Sequence, residues 1–141
     1  MISIYLDDTR TPLEHPLGKE WTVVRDYDQF VDLVTKTGLN NVELISLDHD
    51  LGPLAIRHFF DNTRVNYTIN YAFIRENTGM DVAKWLVDLA RESNLDLPQC
   101  YVHSANPIGS GNMMGYINMY LKERRKAQNC IRAKWKHNYI K

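Results

Sequence analysis

The sequence is short of several features that would place it in a specialised class of protein. Its 141 residues include two cysteines, Cys100 and Cys130, too few and too far apart for a disulfide scaffold or a Cys-x-x-Cys zinc site. No apolar run approaches the roughly 18 residues of a membrane span, and the N-terminus lacks a signal-peptide pattern. These absences predict a cytoplasmic protein without a membrane partner, in which both thiols stay reduced and fill the core.

The chain also has no net charge and no strong compositional bias. Its 17 Lys and Arg residues balance 17 Asp and Glu residues, and 44% of all residues are hydrophobic. This composition excludes disordered, collagen-like and coiled-coil proteins, and the length predicts a single domain over residues 1–141. Zero net charge, taken alone, argues against a uniformly basic protein that binds nucleic acid.

The zero is the sum of two oppositely charged parts. Residues 122–141 contain eight Lys or Arg and one acid, Glu123, a net charge of +7, so the first 121 residues carry −7. Trp135 and Tyr139 are interleaved with the basic residues of this C-terminal segment, as in surfaces that contact nucleic acid. A solvated helix end and a last strand docked on the acidic body are the alternatives.

Short apolar runs alternate with helical patterns along the chain. The runs predict four strands, at residues 2–6, 21–25, 42–47 and from residue 101. The helical patterns predict a helix capped by Asp28 that stops near Gly38, a helix opened by Thr78 with Asp81 in a capping box, and a helix over roughly 112–128 with Met113, Ile117, Tyr120 and Leu121 inward. Strands alternating with helices indicate an open, mainly parallel α/β sheet.

Three of the four predicted strands end in polar side chains. Asp7 and Asp8 follow the first strand, residues 48–50 (Asp-His-Asp) follow the third, and residues 103–106 (His-Ser-Ala-Asn) follow the fourth. In open α/β sheets, ligands bind outside the carboxyl ends of the strands. We therefore expect these three groups to meet at one edge of the sheet, although they lie far apart in sequence.

Carboxylates crowded at one edge provide the hard oxygen ligands that Mg²⁺ or Mn²⁺ prefers. A bound cation also relieves the repulsion between them. We therefore predict a divalent cation held by Asp7, Asp8 and Asp48, with Asp50 close enough to contact a substrate. The alternative is that individual carboxylates cap helices or bind loop amides, as Asp often does in turns.

Two histidines stand at the same predicted edge. A histidine titrates near neutral pH and can act as a general acid or base. We predict that His49 and His103, together with Asp48, are catalytic.

Two further features suit a phosphate group. Arg10 follows the acidic pair closely and is predicted either to clamp phosphate oxygens or to pair with one of the two carboxylates. Residues 106–112, which include Asn106 and Gly109, open a helix with small residues, and backbone amides at such a position form an anion site.

Residues 53–76 form an irregular segment between the third strand and the next helix. Every second residue from Val65 to Phe73 is apolar, which is the period of a β-strand. The pattern predicts a ribbon that overhangs the site. Either it is an edge strand that covers hydrophobic surface, or it is an aromatic wall on which a base stacks.

Four segments together resemble a known family, the cyclic-phosphate-processing receiver domains of bacteria and their phages. The segments are LDDTRTP (6–12), SLDHDLG (46–52), TGMD (78–81) and HSANPIG (103–109), and the resemblance spans roughly residues 1–121. It implies a receiver-like, flavodoxin-like open sheet with helices on both faces. The residues at the strand ends also resemble those of response-regulator receiver domains, which implies that Asp7 and Asp8 hold Mg²⁺, that Asp48 takes the phosphoacceptor position, and that Ser104 contacts phosphate.

The chain departs from ordinary receivers in ways that favour hydrolysis over signalling. The first connection is a loop broken by prolines, and histidines accompany Asp48 and Ser104. The lysine that ends the fifth strand of a receiver has only Lys134 and Lys136 as late candidates.

We therefore expect a metal-dependent phosphoesterase acting on a cyclic phosphate of a nucleotide or RNA end. Two alternatives stay open. One is a non-enzymatic receiver-like phosphoacceptor or nucleotide-binding module. The other is a viral protein in the host cytoplasm that binds a host factor through residues 53–76.

Overall fold

The computed structural model describes residues 1–12 and 20–139, the last nine of them as backbone alone. Its sheet consists of the strands β1 (Ile2–Leu6), β2 (Trp21–Val24), β3 (Val42–Leu47) and β4 (Gln99–Val102). All neighbouring strands pair in parallel, in the order β2-β1-β3-β4. The predicted open parallel sheet is confirmed, and each predicted strand begins and ends within two residues of the observed one where both ends were predicted.

The α-helices of the described chain are α1 (Tyr27–Thr37), α2 (Pro53–His58), α3 (Arg64–Asn66), α4 (Gly79–Glu92) and α5 (Pro107–Tyr139). Helix α4 begins with the predicted capping box, in which Thr78 Oγ1 accepts from the Met80 amide and the Asp81 carboxylate accepts from the Thr78 amide. The cap predicted for α1 is wrong. Asp26 accepts from the Gln29 amide, whereas Asp28 lies inside the first turn, where its charge suits the helix dipole.

Helix α5 begins earlier and ends later than predicted, since it starts at Pro107, with four residues (103–106) between it and β4, and continues as helix to Tyr139. Met113, Ile117 and Tyr120 are buried as expected, but the inward position predicted for Leu121 is wrong, since that side chain is 37% exposed. The C-terminal basic segment is thus helical through residue 139, which excludes a last strand there. Within the described residues, no helix is both long and apolar enough to cross a membrane.

One face of the sheet carries the hydrophobic core. Ile4, Leu6, Ile45 and Leu47 are fully buried, and they alternate along their strands with residues outside this cluster, such as Tyr5. Side chains from α1, α4 and α5 complete the same cluster. The packed core therefore fixes the carboxyl ends of β1 and β3 relative to the helices that begin beside them.

The two cysteines differ in their surroundings. Cys100, in β4, packs against the core as expected. Cys130 is exposed on α5, so its predicted place in the core is wrong. It lies more than two helical turns beyond Tyr120, a core residue of that helix, and therefore faces solvent.

The strand predicted within residues 53–76 is also wrong. Residues 53–66 form a continuous helical run, in which a wide π-helical turn (Phe59–Thr63) joins α2 to α3. Tyr67, in the left-handed conformation at φ 58°, ends it, and a single 3₁₀ turn (Tyr71–Phe73) follows. Alternating apolar residues are stable as a strand when one face is buried, but Tyr67 and Phe73 are both about three-quarters exposed.

Candidate functional site

Three carboxylates meet beyond the carboxyl ends of β1 and β3. Asp7, Asp8 and Asp48 each offer a ligand oxygen, and these oxygens all lie within 4.8 Å of one another. Asp7 is fully buried and Asp48 nearly so. The grouping predicted from the strand ends is therefore confirmed, because β1 and β3 are direct neighbours in the sheet.

The Asp7 carboxylate is held by four donors. Its Oδ1 accepts from the backbone amides of Thr9 (2.9 Å) and Arg10 (2.7 Å), and its Oδ2 lies 2.7 Å from Arg10 Nε and 3.0 Å from His103 Nε2. Burial alone would raise the pKa of Asp7, but the two amides and the Arg10 charge together lower it. Asp7 thus combines the two predicted alternatives, since it binds loop amides and also belongs to the acidic cluster.

Asp48 is in the opposite electrostatic situation. Burial, followed by the negative charge of Asp7, raises the pKa of Asp48 to about 6, although Arg10 and the His49 amide act against this rise. Burial and the charge of Asp7 raise the pKa of Asp8 as well. The cluster is therefore short of positive charge, and three oxygen ligands with this deficit are well suited to a hard divalent cation.

Arg10 lies between the two buried carboxylates. Its Nε is 2.7 Å from Asp7 Oδ2, and its Nη2 is 3.4 Å from Asp48 Oδ1. Arg25 donates from Nη1 to the backbone carbonyls of Asp7 and Arg10, which holds the loop after β1. The predicted pairing of Arg10 with a carboxylate of the pair Asp7 and Asp8 is therefore observed, at Asp7, while nearly half of the Arg10 side chain stays exposed.

His103 contacts the cluster through Asp7. Its second ring nitrogen, Nδ1, is 2.7 Å from Ser46 Oγ, and its ring stacks on Tyr5 with the centroids 4.3 Å apart. If Ser46 donates to Nδ1, then Nε2 carries the proton and donates to Asp7. This arrangement fixes the ring and orients the carboxylate.

His49 contacts a different carboxylate. Its side chain is fully buried, with Nδ1 2.7 Å from Asp50 Oδ1 and Nε2 2.9 Å from Tyr71 Oη. Asn112 Nδ2 donates to the same hydroxyl oxygen, which leaves the Tyr71 proton for His49 Nε2 and the His49 Nδ1 proton for Asp50. The structure therefore places the His103 ring against Asp7 and the His49 ring against Asp50, on separate partners.

A pocket of about 200 Å³ opens beside the cluster. Its lining includes the polar residues Asp8, Thr9, Arg10, Asp48, Asp50 and Ser104 and the apolar residues Ile56, Phe59, Phe60 and Ala105. The predicted residues Asp8, Arg10, Asp48, Asp50 and Ser104 thus share one pocket. His49 and His103 are not among the residues that line it.

The loop before α5 is tied to the same pocket. Asn106 is buried, and its side chain accepts from the Gly109 amide (3.0 Å) and donates to Asp50 Oδ1 (3.4 Å). Ser104 Oγ accepts from the Asn106 amide. Gly109 packs against the imidazole of His49, where a Cβ atom would overlap the ring. The Gly109 amide predicted for phosphate is therefore engaged by Asn106.

Sequence reasoning missed the roles of Thr9 and Tyr71, and it placed the aromatic wall of residues 53–76 on a ribbon, whereas Phe59 and Phe60 lie on a helical run. Ile56, Phe59 and Phe60 have the spacing i, i+3, i+4, which places side chains on one face of a helix and was the available signal. The partnership of Tyr71 with His49 joins residues 22 positions apart without any local pattern.

One family model, described as a cyclic-phosphate processing receiver domain, matches residues 2–119. This range includes all the residues of the pocket, the whole four-stranded sheet and every helix except the later part of α5. Comparisons with curated proteins and with solved structures give no match. The receiver-like fold predicted from the four sequence segments is thereby confirmed.

Proposed function

The chain belongs to the family of cyclic-phosphate processing receiver domains, and on that premise we propose that it is a metal-dependent phosphoesterase that opens a cyclic phosphate on a nucleotide or RNA end. The observation that carries the proposal is the pocket itself. It combines carboxylates of a candidate metal cluster with a guanidinium and a hydroxyl group. These are the groups that hydrolysis of a phosphodiester needs within reach of one another.

Asp7, Asp8 and Asp48 would hold the cation. When bound, a divalent cation neutralises charge on a phosphoryl oxygen and lowers the pKa of a water molecule at the site. The raised pKa of Asp48 supports this assignment, because burial and then the neighbouring charge of Asp7 disfavour the ionised carboxylate, which a bound cation would favour.

The remaining pocket residues have roles in the same proposal. Opening a 2′,3′-cyclic phosphate adds water to phosphorus and breaks one P–O bond, after which the released ribose oxygen takes up a proton. Arg10 and Ser104 contact the phosphate oxygens, which suits a half-exposed guanidinium and a hydroxyl. Asp50 lies outside the metal cluster and is the pocket carboxylate placed to accept or return a proton.

The histidines act through these carboxylates. His103 holds Asp7 and His49 holds Asp50, each through one ring nitrogen, while the other nitrogen is anchored on a hydroxyl. Both are therefore positioning residues in this proposal, and the direct acid–base role expected from the sequence stays a prediction. Asn106 likewise orients Asp50.

The proposal is tested by incubating the purified protein with Mg²⁺ or Mn²⁺ and an oligonucleotide ending in a 2′,3′-cyclic phosphate. We expect a terminal phosphomonoester, and no product when EDTA removes the metal. Absence of product with every divalent metal tried would overturn the proposal.

Asp8→Asn is expected to weaken metal binding without disturbing the core, because Asp8 is only partly buried. In the native protein, Mg²⁺ at 100 times its Kd should add about 2.7 kcal/mol to the free energy of unfolding. We expect most of this gain, measured by thermal shift, to disappear in Asp8→Asn. The matched control is Asp32→Asn, which removes an exposed carboxylate from α1 and should leave the gain intact.

His103→Asn is expected to lower kcat by roughly 10-fold to 100-fold, the usual range for partners of metal-ligating groups. Because His103 orients Asp7 behind the pocket, KM should change little. His58→Asn, in the 53–76 segment outside the pocket lining, serves as the control. Equal kcat values for the native protein and His103→Asn would contradict the positioning role.

A phosphoacceptor function is favoured by one observation, the place of Asp48 in the pocket beside Ser104. The late lysines argue against it, because Lys134 and Lys136 lie within α5 rather than at the end of a strand. A phosphodonor assay decides: a base-labile adduct that Asp48→Asn abolishes would support this second function. Contact between residues 122–141 and nucleic acid, and a cytoplasmic location, stay predictions.

A further inference from the structure

Most of the apolar residues that line the pocket come from the helical run 53–66. Ile56, Phe59 and Phe60 project from one helical face toward the pocket that also contains Asp48 and Ser104. Phe60 remains 50% exposed and Ile56 39% exposed. We call the two phenyl rings, together with the Ile56 side chain beside them, the aromatic wall.

The aromatic wall is held in place from behind. Ala55 and Thr63, from the same helical run, are buried, and the Ala55 amide donates to Glu76 Oε1 at 2.7 Å. Phe59 and Phe60 meet edge to face with their centroids 5.4 Å apart. The Arg64 guanidinium lies 5.2 Å from the centre of the Phe60 ring. These contacts fix the rings before any ligand arrives, which lowers the entropy lost on binding.

A pocket lined both by carboxylates, a guanidinium and a hydroxyl and by phenyl rings fits a ligand that has a charged group and a flat apolar group. A nucleotide has both, since its phosphate is charged and its base is flat and aromatic. Bases stack on aromatic side chains with little dependence on sequence. The small volume, about 200 Å³, favours a single terminal nucleotide over a longer stretch of chain.

We propose that the aromatic wall is a base-binding subsite, on which the nucleobase next to the cyclic phosphate stacks. The inference rests on the proposed function for the position of the phosphate, and it adds the residues that recognise the base. The substrates are nucleoside cyclic phosphates and terminal nucleotides, and cyclic phosphates of simple alcohols are poor substrates.

The test compares two substrates, adenosine 2′,3′-cyclic phosphate and glycerol 1,2-cyclic phosphate, which lacks a base. Phe60→Ala is expected to raise KM for the adenosine compound roughly tenfold and to raise KM for the glycerol compound far less. Phe60→Tyr keeps an aromatic ring and should behave like the native protein. Phe73→Ala is the matched control, because Phe73 is an exposed phenylalanine of the same segment that does not line the pocket.

A binding measurement separates failure of the subsite from failure of the phosphoesterase. Calorimetry with adenosine 3′-phosphate and with glycerol phosphate needs no turnover. Tighter binding of the adenosine compound that Phe60→Ala weakens, and Phe73→Ala does not, supports the subsite even if no cyclic phosphate is hydrolysed. Equal binding of both compounds, or equal effects of the two variants, would overturn it.

Discussion

Replacing Asp48 with asparagine is expected to make the protein more stable and, under the proposed function, much less active. Burial and the neighbouring charge of Asp7 raise the pKa of Asp48 from 3.8 to about 6, so its ionised form destabilises the fold. Each pKa unit corresponds to about 1.4 kcal/mol, which gives a gain of about 3 kcal/mol for Asp48→Asn in metal-free buffer. Loss of a pocket carboxylate should lower turnover by roughly 100-fold or more.

The raised pKa of Asp48 determines how the stability gained by Asp48→Asn changes with pH. Below about pH 4, Asp48 is protonated in both the folded and the unfolded chain, so the substitution changes little. Between about pH 4 and pH 6 the unfolded chain loses the proton first, and the native protein loses stability as the pH rises. The advantage of Asp48→Asn should therefore grow over this interval and stay constant above it.

Chemical denaturation from pH 3.5 to pH 8 in the presence of EDTA measures this advantage. Asp32→Asn removes an exposed negative charge and controls for the change in net charge alone. If the free energies of unfolding of Asp48→Asn and the native protein differed by the same amount at every pH, Asp48 would carry no buried charge.

Gly79→Ala is expected to be the most destabilising single substitution near the site. Gly79 begins α4, its amide donates to the His49 carbonyl at 2.8 Å, and a Cβ atom would overlap the carbonyl oxygen of Asp48. Both partners are backbone atoms of buried residues, so neither can turn away. We expect a loss of about 3 kcal/mol or more in the free energy of unfolding, together with displacement of Asp48.

Gly115→Ala is the matched control, because Gly115 lies in α5 and an added Cβ meets no atom within 4 Å. Alanine is the better helix former, so this variant should gain up to about 1 kcal/mol. Thermal unfolding of the two variants should therefore shift in opposite directions. A Gly79→Ala protein as stable as the native one would show that α4 can move away from β3.

The acidic cluster could be predicted from the sequence because its position depends on two strong local patterns. Buried runs at residues 2–6 and 42–47 fix two strands, and parallel strands bring Asp7 and Asp48 to the same edge. The partners of His49 and His103 could not be predicted. They depend on Tyr71 and Ser46, which reach these rings through tertiary packing alone.

The segment 53–76 shows that apolar residues at every second position are not enough to form a strand. Alternation from Val65 to Phe73 indicates a strand only if a neighbouring strand and a core face are present, and the exposed Val65 and Phe73 meet neither condition. The stronger signal was Pro53 after Gly52, since proline favours the first turn of a helix. Spacing of the apolar residues from Ile56 to Phe60 agreed with that signal.

The first residues of the segment that carries the aromatic wall lie against the Glu76 carboxylate at its other end. Gly52 lies so close to the Glu76 carboxylate that a Cβ atom would collide with it, and the same carboxylate binds the Ala55 amide. The free energy of closing a loop depends only weakly on its length, so the stability of the fold sets only a weak limit on the length of the stretch between these residues. A different sequence that keeps Tyr71, the partner of His49, would alter which group lies beside the phosphate, while the strands that carry the carboxylates stay as they are.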